Sequence, residues 1–81
     1  MNHSQAITLI KKQTGLTNKA IAEQLGLRSH ATIAMRTWRE SVQLYNILEI
    51  LDVMGYEMVA MPKNSHPLPE GAYALSREDY P

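Results

Sequence analysis

Apolar side chains recur three to four residues apart along most of the chain and predict four helices, three of them stopped by a glycine. The first spans Ser4 to about Thr14: Ala6, Ile7, Leu9 and Ile10 supply its apolar positions, Lys11 and Lys12 suit the negative pole of its end, and Gly15 stops it. Leu16 just beyond folds back on it. Thr17 then caps Asn18–Leu25, its hydroxyl accepting from an amide of the first turn that has no helical partner. Ile21, Ala22 and Leu25 make a narrow apolar seam, with Ala22 small where another helix comes close. Gly26 takes the turn conformation that other residues resist, and Leu27 returns to the core. A polar, basic helix follows, beginning at Ser29 or His30 and running to about Arg39.

From Ser41 to Met54 the polar residues Gln43, Asn46, Glu49 and Asp52 fall at every third place. They leave a wide apolar surface of Val42, Leu44, Ile47, Leu48, Ile50, Leu51, Val53 and Met54. A helix at the edge of so small a domain lacks core for all of these, so part of that surface is expected to face a second copy. After Gly55 the period changes from helical to alternating, and Tyr56–Met61 reads as a strand closed by Pro62. No second strand pattern exists, so its expected partner is the same strand of another protomer, antiparallel across a two-fold axis. Residues 1–61 are expected to form one domain. Residues 62–81 carry Pro67, Pro69, Pro81 and Gly71 with little periodicity and read as a mobile tail, in which Tyr73, Leu75 and Tyr80 are the hydrophobic features.

Eighty-one residues make one small domain, and 44% hydrophobic content fits a globular chain. There is no cysteine, hence no disulfide and no thiolate metal site, which agrees with a reducing, cytoplasmic setting. No apolar run is long enough for a membrane, and the N-terminal lysines follow the apolar residues, opposite to a signal peptide. The zero net charge conceals a division. Residues 1–39 hold six Lys and Arg against Glu23, a net of +5, whereas residues 40–81 hold Lys63 and Arg77 against seven carboxylates, a net of −5. The basic half contains the two short helices around Gly26, a placement that a phosphate-binding surface requires.

Two helices around a glycine turn, the second basic, make a helix-turn-helix over Leu16–Trp38. Within it LTNKAIAEQLGL, residues 16–27, resembles the first half of that motif in the Cro/CI (XRE) family of phage and bacterial repressors. Thr17 and Asn18 match the family's Thr-Gln start, Ile21 and Ala22 its Leu-Ala pair, and Leu25, Gly26 and Leu27 its Leu-Gly-Val turn. The resemblance covers about residues 4–61. It weakens after the turn: the family has Ile or Val six residues past the glycine, where Thr32 stands here, with Ile33 one place later. Two registers follow, about 100° apart around the helix. Either the turn holds one extra residue, or Met35 and Trp38 take over the packing. LDVMGYEMVAMPK, residues 51–63, also resembles the end of the HipB-type antitoxin branch, in which a helix, a glycine and a short strand form a two-stranded ribbon in the dimer.

The resemblance implies a mainly α, lambda-repressor-like helix-turn-helix domain of about four helices, plus one C-terminal β-strand pairing across a dimer. It implies a sequence-specific DNA-binding transcriptional regulator, a repressor, acting as a homodimer on a near-palindromic operator without a cofactor. Arg28, Ser29, His30 and Thr32 occupy the turn and first exposed places of the recognition helix and are the expected base contacts. Asn18, Lys19, Arg36 and Arg39 are the expected phosphate contacts, Asn18 by its match to the family's opening glutamine. For the arginines the alternative is a solvated surface charge, and for Ser29 it is a helix cap. Ile50, Met54, Tyr56, Met58, Val59 and Met61 are the expected dimer interface, with the methionines as adaptable packing rather than a soft-metal site. Trp38, at helical spacing from Met35 and Ala31, is expected in the core.

His3, His30 and His66 are too scattered for a metal set, and no thiolate or carboxylate joins them at ligand spacing. No Ser/His/Asp arrangement, phosphate-cradling glycine loop or close carboxylate pair is present, so an enzyme is not expected. The competing function is an antitoxin-like protein or adaptor that binds a protein partner through the tail, with DNA binding for autoregulation. A purely structural dimerisation module would leave the charge division as coincidence.

Overall fold

Four helices form in the computed structural model: α1 His3–Thr14, α2 Asn18–Gln24, α3 Ala31–Trp38 and α4 Leu44–Val53, followed by one 3-10 turn at Arg77–Asp79. Residues 1–39, 41–65 and 67–80 are described. The readings that touch Glu40, His66 and Pro81, as a carboxylate of the acidic half, one of the scattered histidines and a tail proline, lie outside the described residues.

Local chemistry sets the helix ends. Asn2 and Gln5 cap α1 reciprocally: Gln5 N–H donates to the Asn2 side chain at 2.9 Å and Asn2 N–H to the Gln5 side chain at 3.0 Å. Thr17 caps α2 as expected, accepting from Ala20 N–H at 3.1 Å. Gly26, at φ 71°, lets Leu27 N–H reach the Ala22 carbonyl at 2.9 Å and Gly26 N–H that of Glu23 at 3.1 Å. That pair of bonds closes α2 and aims the chain at α3. Helix α4 begins at Leu44, later than the expected Ser41, because Gln43 is still extended.

Each helix contributes one isoleucine with at most 1% of its surface exposed: Ile7, Ile21, Ile33 and Ile50. They meet in one cluster with Ile10, Ala22, Ile47, Leu51 and Met54, and Leu16, Leu25 and Leu27 pack on its margin. Helix α3 touches all three others and is the centre of the fold.

The two registers of α3 are thereby distinguished. Ile33 and Thr37, four residues apart, face the core, whereas Met35 is 51% and Trp38 78% exposed. Trp38 is therefore not a core residue: with Ile33 and Thr37 inward, 100° per residue carries Met35 and Trp38 to the outer face. Ile33, and not Thr32, is the first inward residue of α3. Ile50 and Met54, expected at a dimer interface, are 0% and 6% exposed and belong to the protomer's own core. They share the inward face of α4 with Ile47 and Leu51, while Leu44, Tyr45 and Leu48 are the apolar residues left outside.

Among the described residues no strand occurs, and Tyr56–Met61 forms no ladder within the chain. Tyr56 turns inward onto the core and its hydroxyl donates to the Gln13 side chain at 3.2 Å. Met58, Val59 and Met61 are exposed. The segment read as a mobile tail returns to α1. Tyr73 packs against the core, and the Tyr80 ring stacks on His3 with centroids 5.6 Å apart. His3 is buried with both ring nitrogens bonded: Nε2–H donates to the Arg39 carbonyl at 2.7 Å, and Nδ1 shares a hydrogen bond with the Tyr80 hydroxyl at 2.8 Å. The same hydroxyl accepts from His3 N–H at 2.7 Å. Among the described residues no helix is long and apolar enough to cross a membrane.

Candidate nucleic-acid interface

The exposed surface of α2 and α3 starts in the turn between them. Arg28, Ser29 and His30 all lie on the surface immediately before α3, and Thr32 is half-buried in its first turn. The Ser29 hydroxyl accepts from Ala31 N–H at 3.1 Å. It satisfies a first-turn amide of α3, as a helix cap would, where His30 provides no side-chain cap.

Of the expected phosphate contacts, Lys19 and Arg39 are exposed. Neither Lys19 nor Arg28 has an ion pair among the described residues. Arg36 is engaged instead, with one guanidinium N–H 3.3 Å from a Glu49 carboxylate oxygen and the two side chains 18% and 28% exposed. This contact ties α3 to α4. Asn18 accepts from the Lys11 ammonium at 2.9 Å through its carbonyl oxygen. Its amide N–H groups remain donors, which is the function a phosphate oxygen requires.

Lys11 is thus brought beside the start of α2, a placement sequence had assigned only to the end of α1. No spacing rule reveals it, because residues 11 and 18 lie on different helices across a turn. The outward positions Ala31 and Met35 were also missed. Their signal was present: Ile33 and Thr37 are the one pair four residues apart in α3 that joins a large aliphatic side chain to a hydroxyl able to bond back to the helix, and Thr37 Oγ1 donates to the Ile33 carbonyl at 2.8 Å. Between α3 and the start of α4 lies an open groove of about 430 Å³ lined by Thr32, Met35, Arg36, Arg39, Val42 and Gln43.

The surface consists of α3 with Arg28 and His30 exposed before its start, Lys19 exposed on α2, and an open groove along one side of α3. Comparison with family models, curated proteins and solved structures finds no match to this chain.

Proposed function

We propose that the chain is a sequence-specific DNA-binding transcriptional regulator, a repressor, acting as a homodimer on a near-palindromic operator. The observation that carries this is the helix-turn-helix itself. Helix α3 is anchored by the fully buried Ile33 and touches every other helix, yet its leading turn puts Arg28 and His30 on the surface, with Lys19 exposed on α2. A packed helix with an arginine and a histidine exposed at its leading end suits the major groove. Arg28 and His30 contact base edges, and Asn18, Lys19 and Arg39 hold phosphates.

Dimerisation uses the exposed apolar residues of α4, Leu44, Tyr45 and Leu48, with Met58, Val59 and Met61 beyond it. Tyr56–Met61 pairs antiparallel with its copy, and the two recognition helices lie about 34 Å apart, one turn of DNA. The antitoxin-like alternative has less support, because Tyr73 and Tyr80 are used within the chain and only Leu75 of the three tail hydrophobics stays exposed.

The test is selection from a random-sequence duplex pool at two salt concentrations. The expected result is a palindrome with half-sites about one helical turn apart, and affinity that falls steeply with salt as counterions are released. Binding without enrichment that vanishes at moderate salt would reduce the basic face to a sticky surface and overturn the proposal.

A further inference from the structure

The outward face of α3 is apolar where a base-reading helix must discriminate. With Ile33 and Thr37 inward, Met35 stands roughly opposite them at 100° per residue. Ala31 is exposed one turn before it, and the half-buried Thr32 lies at the edge of the same face. Met35 leaves 51% of its surface open. Such side chains recognise no donor or acceptor pattern, since Ala31 has no polar side-chain atom and the methionine sulfur is a weak acceptor. The major groove offers them one apolar feature, the C5-methyl group of thymine. Charge favours DNA as the occupant of this face, because Arg28, exposed and without an ion pair among the described residues, stands in the turn that leads into the helix that carries it, and Lys19 is likewise exposed and without an ion pair there on α2.

The geometry points to thymine C5-methyl groups as the ligands of Ala31 and Met35, an inference that rests on the DNA-binding reading and names what its recognition helix reads. Met35 packs on a methyl group in each half-site, Ala31 lets the helix approach closely enough to do so, and the Thr32 methyl extends the contact. Arg28 and His30 supply the hydrogen-bonded part of the recognition from the turn. The half-site therefore contains A·T pairs under α3 next to the pairs contacted by the turn.

The experiment takes the duplex recovered from the pool and compares it with the same duplex carrying deoxyuridine in place of every thymine. This removes the methyl groups and keeps the base-pair hydrogen bonds. Affinity of the full chain is measured by fluorescence anisotropy at one salt concentration. The expected loss is about fourfold per contacted methyl group, the factor equivalent to ~0.8 kcal/mol. Met35→Ala is expected to weaken the thymine duplex and to leave the deoxyuridine duplex unchanged, which separates a methyl contact from altered DNA shape. Equal affinity for the two duplexes overturns this inference and leaves the regulator reading standing. Failure to recover any preferred duplex overturns both. A shift of the Met35→Ala chain toward monomer without DNA assigns the face to a second copy, and also overturns it.

Discussion

Within α3, two side chains five residues apart have opposite fates. Ile33 is fully buried at the meeting point of the four helices, and Trp38 is 78% exposed. Ile33→Ala is expected to lower stability by about 2–5 kcal/mol, because it opens a cavity in a close-packed centre. Met35→Ala and Trp38→Ala should each change stability by no more than about 0.5 kcal/mol. Urea unfolding followed by circular dichroism distinguishes these outcomes. Were Met35→Ala the costly change, the other register of α3 would be correct. Trp38 is the only tryptophan, so its fluorescence should also be quenched readily by acrylamide in the folded protein. Helical spacing from Met35 and Ala31 predicts the core for Trp38; the three do share a face, but it is the outer one, because Ile33 and Thr37 turn inward.

At the scale of elements, capping and glycine geometry account for why the helices begin and end where they do. Thr17→Ala should cost about 1 kcal/mol, because the first-turn amide of Ala20 loses its acceptor. Gly26→Ala should cost about 1–2 kcal/mol although an added Cβ would meet nothing within 4 Å, since the cost lies in a φ of +71° that an L side chain resists. Thermal unfolding of both variants tests this, and a neutral Gly26→Ala would show that the turn can relax into another conformation. These elements were legible in the sequence because a helix cap and a glycine stop act over two to five residues. The start of α4 was not, because the entry through Ser41, Val42 and Gln43 carries no comparable cap.

Over the whole molecule, Asp79 and Tyr80 clasp the start of α1. The Met1 amine lies 2.6 Å from an Asp79 carboxylate oxygen. Hydrogen bonding to that amine, assisted by the Ser76 hydroxyl and amide, holds the Asp79 carboxyl below the ordinary aspartate value, against a smaller opposing effect of desolvation. A carboxyl whose folded value is depressed contributes stability that is present above its unfolded value and lost as pH falls through the folded one. The contact should therefore persist across neutral and weakly acidic pH and release only below the ordinary aspartate range. A carboxyl NMR titration of Asp79 measures this, and a midpoint at the ordinary value would refute the clasp. Tyr80→Phe should cost about 1–3 kcal/mol, since it leaves His3 N–H and Nδ1 without a partner beside a buried ring. An unchanged denaturation midpoint would mean that the tail does not hold His3.

The sequence by itself determined the four helices, the turn at Gly26, the cap at Thr17 and the division of charge between the halves. All are properties of neighbouring residues or of plain composition. Only the tertiary structure decided which faces those helices turn inward. Val42 to Met54 are apolar nearly all round, and the choice of Ile47, Ile50, Leu51 and Met54 for the core, with Leu44, Tyr45 and Leu48 outside, depends on where α1 to α3 stand. The same holds for the pairing of Arg36 with Glu49, of Lys11 with Asn18 and of His3 with Tyr80, whose partners are 13, 7 and 77 residues apart. Periodicity specifies that a helix has an apolar face, but the rotation of that face in space follows from the packing of the other helices against it.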